Sequence, residues 1–474
     1  MSSSYHGRFY LRSSYGGGFL QDDFKVSSTL TLNIGIRYDV ETQARETRWN
    51  GSNFNLATGQ VVTMRQLGRN YIQLTDKNNF APRVGFAWRP FSKTVVRSHY
   101  GIFYIPLTGQ ATSGFDRFPQ DQSFQLRSDG IGAVALLSNI PTPVPNAEGI
   151  GLSHEYRDAN APVGYFQQWN FDIQHQAPWG VLAQASYSAS VAKHLPLSLS
   201  YNQIPIDVAR AAGQGTQAMR PYPNFGDIIA EDERGNSNYQ SLQLSAEKRF
   251  SSGLSFLVAY TFSKLIDDTE DDFGAPATQD NYNLRLEKGL SYAHFPHRFI
   301  GSGIYQFPVG AGKHLLNQGV ASKIVGGWQL GWILTLQTGT EVIISNPTNT
   351  ARDFSNGFRP NLLFDPALPT SQRTLTRWFN TNAFQGPAPF TLGNSPTFPN
   401  IQGPGLANLD LSLSRVVRLP LSERSRFDIR ADCFDCFNHP NFNEPSGVFG
   451  TTTFGVVTTA FPGRVVQASL KFWF

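Results

Sequence analysis

Residues 29–40 read TLTLNIGIRYDV, and in this stretch apolar and polar side chains alternate without a break. Leu30, Leu32, Ile34, Ile36, Tyr38 and Val40 fall on one side, and Thr31, Asn33, Gly35, Arg37 and Asp39 on the other. A period of two is that of a β-strand with two different faces. The pattern recurs at 326–339, where Trp328, Leu330, Trp332, Leu334 and Leu336 share a side, and again in Leu254, Phe256, Val258, Tyr260 and Phe262.

About thirteen such segments can be placed, centred near Gln21, Ile34, Phe86, Ser98, Phe171, Ala185, Leu244, Val258, Gly301, Leu330, Leu411, Ile429 and Leu470. Each is close to the roughly 9–11 residues that a tilted strand needs to cross a bilayer. Short turns follow the odd-numbered segments, at 26–28, 91–93, 178–180, 250–253, 310–325 and 419–423. Long polar stretches rich in Pro and Gly follow the even-numbered ones, at 41–79, 105–164, 191–237, 265–295, 340–406 and 438–462. Outer-membrane barrels are built in this way, with short turns toward the periplasm and long loops outside. The spacing therefore predicts an all-β chain, a transmembrane antiparallel β-barrel sheet, whose last strand runs inward and leaves Phe474 at the periplasmic rim.

Composition agrees. Of 474 residues only 16% are charged and 40% are hydrophobic, against roughly a quarter charged in soluble domains. The formal charge of +4 and the lack of a basic run with interleaved aromatics argue against a nucleic-acid partner. No stretch has the roughly 18 uninterrupted apolar residues of a membrane helix. The first ten residues, MSSSYHGRFY, lack the basic and apolar segments of a secretory signal.

A cation on the lipid face costs roughly 2–4 kcal/mol at the bilayer midplane and little at its edge. The exceptions on the apolar faces, His175, Lys248 and Arg415, each lie close to a short turn, where their polar ends can reach the headgroups. The opposite faces carry Arg37, Asp39, Arg83, Arg97, Asp172, Gln174, Glu247, Asp410, Asp428, Arg430, Asp432 and Lys471, a lumen of both signs for which cross-strand ion pairs are the expected arrangement. Tyr38, Trp88, Tyr104, Trp169, Tyr260, Phe307, Phe437, Phe472 and Phe474 lie near strand ends, as interfacial girdles do.

No catalytic constellation stands out, and neither enzyme activity nor a cofactor is expected. His154-Glu155 lacks the second histidine of a zinc-protease motif, and residues 310–314 (GAGKH) lack the full phosphate-loop pattern. His294 and His297 have no third ligand nearby, so no metal site is expected. The acidic run Asp267, Asp268, Glu270, Asp271 and Asp272 lacks EF-hand spacing and reads as solvated loop charge, with calcium-linked ordering the minority alternative. Cys433 and Cys436 sit at an odd spacing, which in a strand points them to opposite faces, so they read as packing residues.

Several blocks together resemble the barrel of TonB-dependent outer membrane receptors, in particular the Oar-like branch: 19–38 (FLQDDFKVSSTLTLNIGIRY), 79–91 (NFAPRVGFAWRPF), 238–268, 297–310 (HRFIGSGIYQFPVG), 403–414 (GPGLANLDLSLS), 426–442 (RFDIRADCFDCFNHPNF) and 464–474. Larger apolar or aromatic residues usually occupy the two cysteine positions in that branch. The resemblance implies that 1–474 is the C-terminal part of a barrel of about 22 strands around a plugged lumen. It also implies uptake of an extracellular ligand of unknown identity, energised through the TonB complex by way of an N-terminal region missing here. Without plug, regulatory-like domain or signal peptide, the chain is expected to be a gene fragment, a mis-called start or a split reading frame.

By the same resemblance the closing strand is the signal for the barrel-assembly machinery, with Val466, Leu470, Phe472 and Phe474 facing lipid and Gln467, Ser469 and Lys471 facing the lumen. Two alternatives remain at this level: a passive outer membrane channel or surface adhesin, and a soluble β-rich binding protein. Loops 105–164 and 340–406 are where ligand contacts are expected, since loops on a rigid scaffold carry function.

Overall fold

A computed structural model describes residues 2–5, 8–106, 116, 118, 122–125, 148–268, 278–310, 312, 313, 315, 316, 318–420 and 424–474. Thirteen strands run in chain order through one sheet of fifteen, each antiparallel to the next, and the two short segments His154–Tyr156 and Gly289–Leu290 join it beside the main path, the first in parallel. The thirteen are β1 (Tyr15–Lys25), β2 (Leu30–Glu41), β3 (Phe80–Phe91), β4 (Thr94–Tyr104), β5 (Tyr165–Gln176), β6 (Val181–Ser200), β7 (Ile228–Ser251), β8 (Leu254–Asp267), β9 (His297–Gln306), β10 (Trp328–Gln337), β11 (Leu406–Arg418), β12 (Arg426–Phe434) and β13 (Val465–Trp473). Each contains one of the expected segment centres. Among the described residues β1 and β13 pair within this sheet on one side only, so the sheet is an open arc.

Register keeps the two faces apart. Leu30 lies opposite Trp88, Leu32 opposite Phe86 and Ile34 opposite Val84, while Asn33 faces Gly85 and Gly35 faces Arg83. The same sorting continues to the last pair, where Phe427, Ile429 and Ala431 meet Phe472, Leu470 and Ala468. A one-residue slip would turn every side chain to the wrong face, so the alternation itself fixes the pairing. Two glycines on β9 shape the apolar face: a Cβ at Gly301 would lie 2.7 Å from the Trp332 ring, and one at Gly303 2.8 Å from its indole nitrogen. Their bareness lets Trp332 lie flat across the neighbouring strand.

The connections alternate as expected, short at one rim and long at the other. Two boundaries differ. The stretch 191–237, expected to be a loop, begins and ends as strand: β6 runs to Ser200 and β7 starts at Ile228, paired with each other across register shifts near Leu195. The turn at 310–325 holds a short helix, Gly319–Val325.

The buried apolar core lies at the long-loop rim rather than in the sheet. Val342, Ile344, Phe379, Ala383, Phe384 and Ile401 pack with Trp378, Phe449 and Phe454, which brings together the loops after β10 and β12. Phe54, Phe225 and Ile228 form a second cluster with Tyr156 and Tyr222, and Met64 and Ile72 a third with Phe9 and Leu11. Outward apolar side chains of the strands, such as Ile34, Val84, Leu244 and Phe262, stay exposed. A water-soluble protein does not expose so continuous an apolar surface.

The cysteines correct the expectation. Cys433 and Cys436 are joined in a disulfide, their Cα atoms 5.4 Å apart. The strand ends at Phe434 and Asp435 takes a positive φ of 48°, so the chain turns back before Cys436 and the strand rule no longer governs where the second side chain points. Such bonds persist in oxidising compartments.

Candidate functional site

The polar side of the sheet is concave. A groove of about 700 Å³ crosses β7–β12, lined among others by Glu247, Arg249, Ser302, Asp410, Arg430 and Asp432. A second, of about 540 Å³, crosses β1–β5 and includes Asn33, Arg83, Arg97, His99, Asn170 and Asp172. The charges assigned to the lumen from sequence share this face by register. Leu257, Ile304, Ile333 and Phe434 also line the larger groove, an apolar patch that alternation alone assigned to no role.

The expected cross-strand ion pairs are not what links these charges. Arg37 pairs with Asp39 at 2.8 Å, Arg426 with Asp428 at 3.1 Å and Arg430 with Asp432 at 2.7 Å, each along a single strand. The reason lies in the partners opposite: Arg430 faces Ser414 and Ser469, and Asp39 faces Gly17. For Arg430 and Asp39, with small neutral neighbours across the ladder, the nearest opposite charge is two residues further along the same face, whereas Asp428 pairs along its strand although Lys471 lies opposite it. Links between strands are made instead by hydrogen bonds in which at least one partner is neutral, such as Gln174 to Gln184 at 2.9 Å and Arg97 to Gln174.

At the apolar face the three ionisable exceptions find partners at the short-turn rim. Lys248 donates to the carbonyl of Trp179, His175 bonds the hydroxyl of Thr94 at 3.0 Å, and Arg415 donates to the carbonyls of Lys323 and Ile324. Asp22, opposite Ile34, also lies on that face, as do His297, opposite Phe262, and Lys264, opposite Gln240.

The long-loop rim carries a second kind of chemistry, buried ion pairs between loops. Arg359, almost fully buried, donates to Glu287 at 2.8 Å and to the Thr397 hydroxyl at 2.7 Å. Burial nonetheless holds the Glu287 carboxyl above its ordinary pKa, with Arg359 pulling the other way. Gln203 donates to Asp353 at 2.8 Å, and Arg220 pairs with Asp227 at 2.7 Å while lying over the Phe354 ring. Arg157 reaches Glu231 and Glu233 together, at 2.9 and 2.5 Å, and Gln73 at 3.2 Å. Burial pushes Glu444 up to about 7 and raises Glu341 as well, and the Thr340 hydroxyl donates to Glu444.

His154 belongs to this interior. Its Nδ1 lies 2.6 Å from Asp116 and its Nε2 2.9 Å from the Gly149 carbonyl. Burial alone would depress its pKa, but Asp116 and the carbonyl outweigh it and raise the value. His294 accepts from the Leu265 amide at 3.3 Å and His297 bonds the Tyr260 hydroxyl at 2.7 Å, so the two imidazoles serve separate partners. Among the described residues no three His, Cys, Asp or Glu side chains gather as a metal-binding group. Of the acidic run, Asp268 accepts from the Asn236 amide, whereas Glu270, Asp271 and Asp272 lie outside the described residues. So do Ala311 and His314 of the phosphate-loop-like stretch and most of loop 105–164.

Val466, Leu470 and Phe472 project from β13 on the apolar face, opposite Cys433, Ile429 and Phe427. Phe472 stacks with Phe474 at 5.8 Å, and Phe474 is 91% exposed. Gln467, Ser469 and Lys471 share the concave face with Asp432, Arg430 and Asp428.

Among solved structures the chain is similar to the outer membrane transporter YddB from Escherichia coli, at 12% identity and a TM-score of 0.54, covering 98% of this chain and 45% of that one. It also matches the siderophore receptors PirA (11% identity, TM-score 0.49, 98% and 46% covered) and PiuA (8%, 0.48, 98% and 43%), both from Acinetobacter baumannii. The chain thus spans less than half the length of each of these proteins. No curated protein matches it. The likeness to YddB is one of fold, and it agrees with the two-faced sheet, the sorted rims and the concave polar groove. A model of the outer membrane beta barrel domain matches residues 2–467, and the chain belongs to that family.

Proposed function

We propose that this chain is barrel sheet of a TonB-dependent receptor, which takes up an extracellular ligand and is energised by the TonB complex. The long-loop rim faces outward, and the short turns and Phe474 face the periplasm. The observation that carries this reading is the folded interior of the long-loop rim: loops from separate strand pairs share cores and buried ion pairs above a concave groove lined by charged and apolar side chains. A pre-organised rim over a concave groove of mixed character suits ligand capture followed by inward transfer. The ligand contacts belong to loops 105–164 and 340–406, and the role is binding and transport rather than catalysis.

The test is uptake. Cells carrying the receptor should accumulate its ligand only while TonB is present, and accumulation that persists without TonB would assign the barrel to passive diffusion. An adhesin would bind cells or matrix with no accumulation at all.

The closing strand serves in the same reading as the signal for the barrel-assembly machinery, through Val466, Leu470, Phe472 and Phe474. Deletion of Phe474 should reduce membrane insertion more than ligand recognition by the molecules that do insert. Normal assembly after that deletion would remove the signal role.

A further inference from the structure

The turn between β9 and β10 is a folded unit with an exposed apolar surface. Val320 and Ile324, one helical turn apart, are 73% and 63% exposed, and Leu315 and Leu316 just before the helix are 57% and 59% exposed. Lys323, on the adjoining side of the helix, is exposed, while Ser322 on the opposite side is buried and bonds the Gly319 carbonyl at 2.8 Å.

The unit is pinned to the apolar face of the sheet. Arg415 caps the carbonyls of Lys323 and Ile324, and the Trp328 indole donates to Ile324 at 3.3 Å. Arg415 and Trp328 lie opposite each other, in line with Leu413 and Leu330 and then Leu411 and Trp332 on that face. The two ends of the turn close tightly, since a Cβ at Gly310 would lie 2.4 Å from the Cα of Gly326. The exposed apolar surface is therefore held at the margin of the membrane-facing band and is continuous with it.

We propose that Leu315, Leu316 and the helix Gly319–Val325 form a membrane-surface anchor. Leu315, Leu316, Val320 and Ile324 enter the boundary between headgroups and acyl chains of the phospholipid leaflet at the short-turn rim, and Lys323 meets lipid phosphate. An amphipathic segment with a cation beside its apolar face is suited to this boundary. Arg415 is then a tether that holds the segment at interfacial depth, its guanidinium satisfied by the carbonyls of Lys323 and Ile324. The anchor is independent of transport and operates equally in an energised or a passive barrel.

The test uses nitroxide labels on Val320→Cys and Ile324→Cys of the full chain in vesicles of phosphatidylethanolamine and phosphatidylglycerol, with heat-dependent gel migration confirming a folded barrel. Gln318→Cys is the aqueous reference and Leu244→Cys the acyl-chain reference. The ratio of oxygen to nickel-chelate collisions at 320 and 324 should exceed that at 318 several-fold and stay below that at 244. A ratio equal to that of 318 would place the segment in water and overturn the anchor. Protection from both reagents would mean that a protein surface covers it, also against the proposal. Lys323→Glu should move the 324 label toward the aqueous reference, and an unchanged ratio would remove the phosphate contact.

Discussion

Arg359 and Glu287 meet at 2.8 Å across two loops that leave the sheet at different strands, one after β10 and the other after β8. Both side chains are nearly sequestered from solvent, and the Arg359 backbone amide also donates to Gln279 at 3.1 Å. The pair joins the two loops at a point where neither charge has water to fall back on.

Removing one partner of such a pair leaves the other buried and uncompensated, which costs about 3–5 kcal/mol. Arg359→Met is expected to free both loops, so that limited proteolysis cuts within 278–296 and 338–405 while the barrel keeps its heat-dependent gel migration. Unchanged cleavage would show that the pair is not a fastening.

Glu444 and Glu341 give the rim a pH dependence. Both carboxyls are raised in the folded state, Glu444 from 4.5 to about 7, so their contribution is fully present below the unfolded value and is lost as pH rises through the folded one. Protection of amides in loops 338–405 and 435–464 from hydrogen exchange, relative to the intrinsic rate at each pH, should therefore fall between pH 5 and 8. Glu444→Gln should flatten most of that change. His154, raised as well, contributes with the same sign through its bond to Asp116.

Leu244 and its neighbour Ser245 test the two faces. Leu244 lies on the apolar face between Ala185 and Tyr260, and Ser245 on the concave face between Gln184 and Ala259. Leu244→Arg should lower the folding free energy in phospholipid vesicles by about 2–4 kcal/mol, and Ser245→Arg should leave it nearly unchanged. Equal losses would contradict the assignment of faces.

Phe379 is fully buried in the largest loop cluster, edge-on to Phe384 and Phe454. Phe379→Ala should cost about 3–5 kcal/mol, confined to the rim, as seen by exchange in the loops with strand amides still protected.

The strands were legible because a bilayer-facing sheet writes its two solvents directly into alternate residues, as in Leu30 through Val40. The rim was not. Arg359, Gln203, Gln279 and Glu46 are residues that composition assigns to water, yet all are buried. What buries them is partners far off in sequence: Gln203 and Asp353 are 150 residues apart. No local period records such a pairing. The cysteine bridge was hidden for a related reason, since it depends on the positive φ of Asp435 and not on the strand that precedes it.

The placement of the apolar interior at the rim bears on how such a surface can change over time. Stretches contributed by different hairpins share buried clusters there, so an altered loop must still fit partners encoded elsewhere in the chain. Diversity at the rim would then arrive as matched sets of substitutions across several loops, with the strands beneath free to drift wherever alternation is kept.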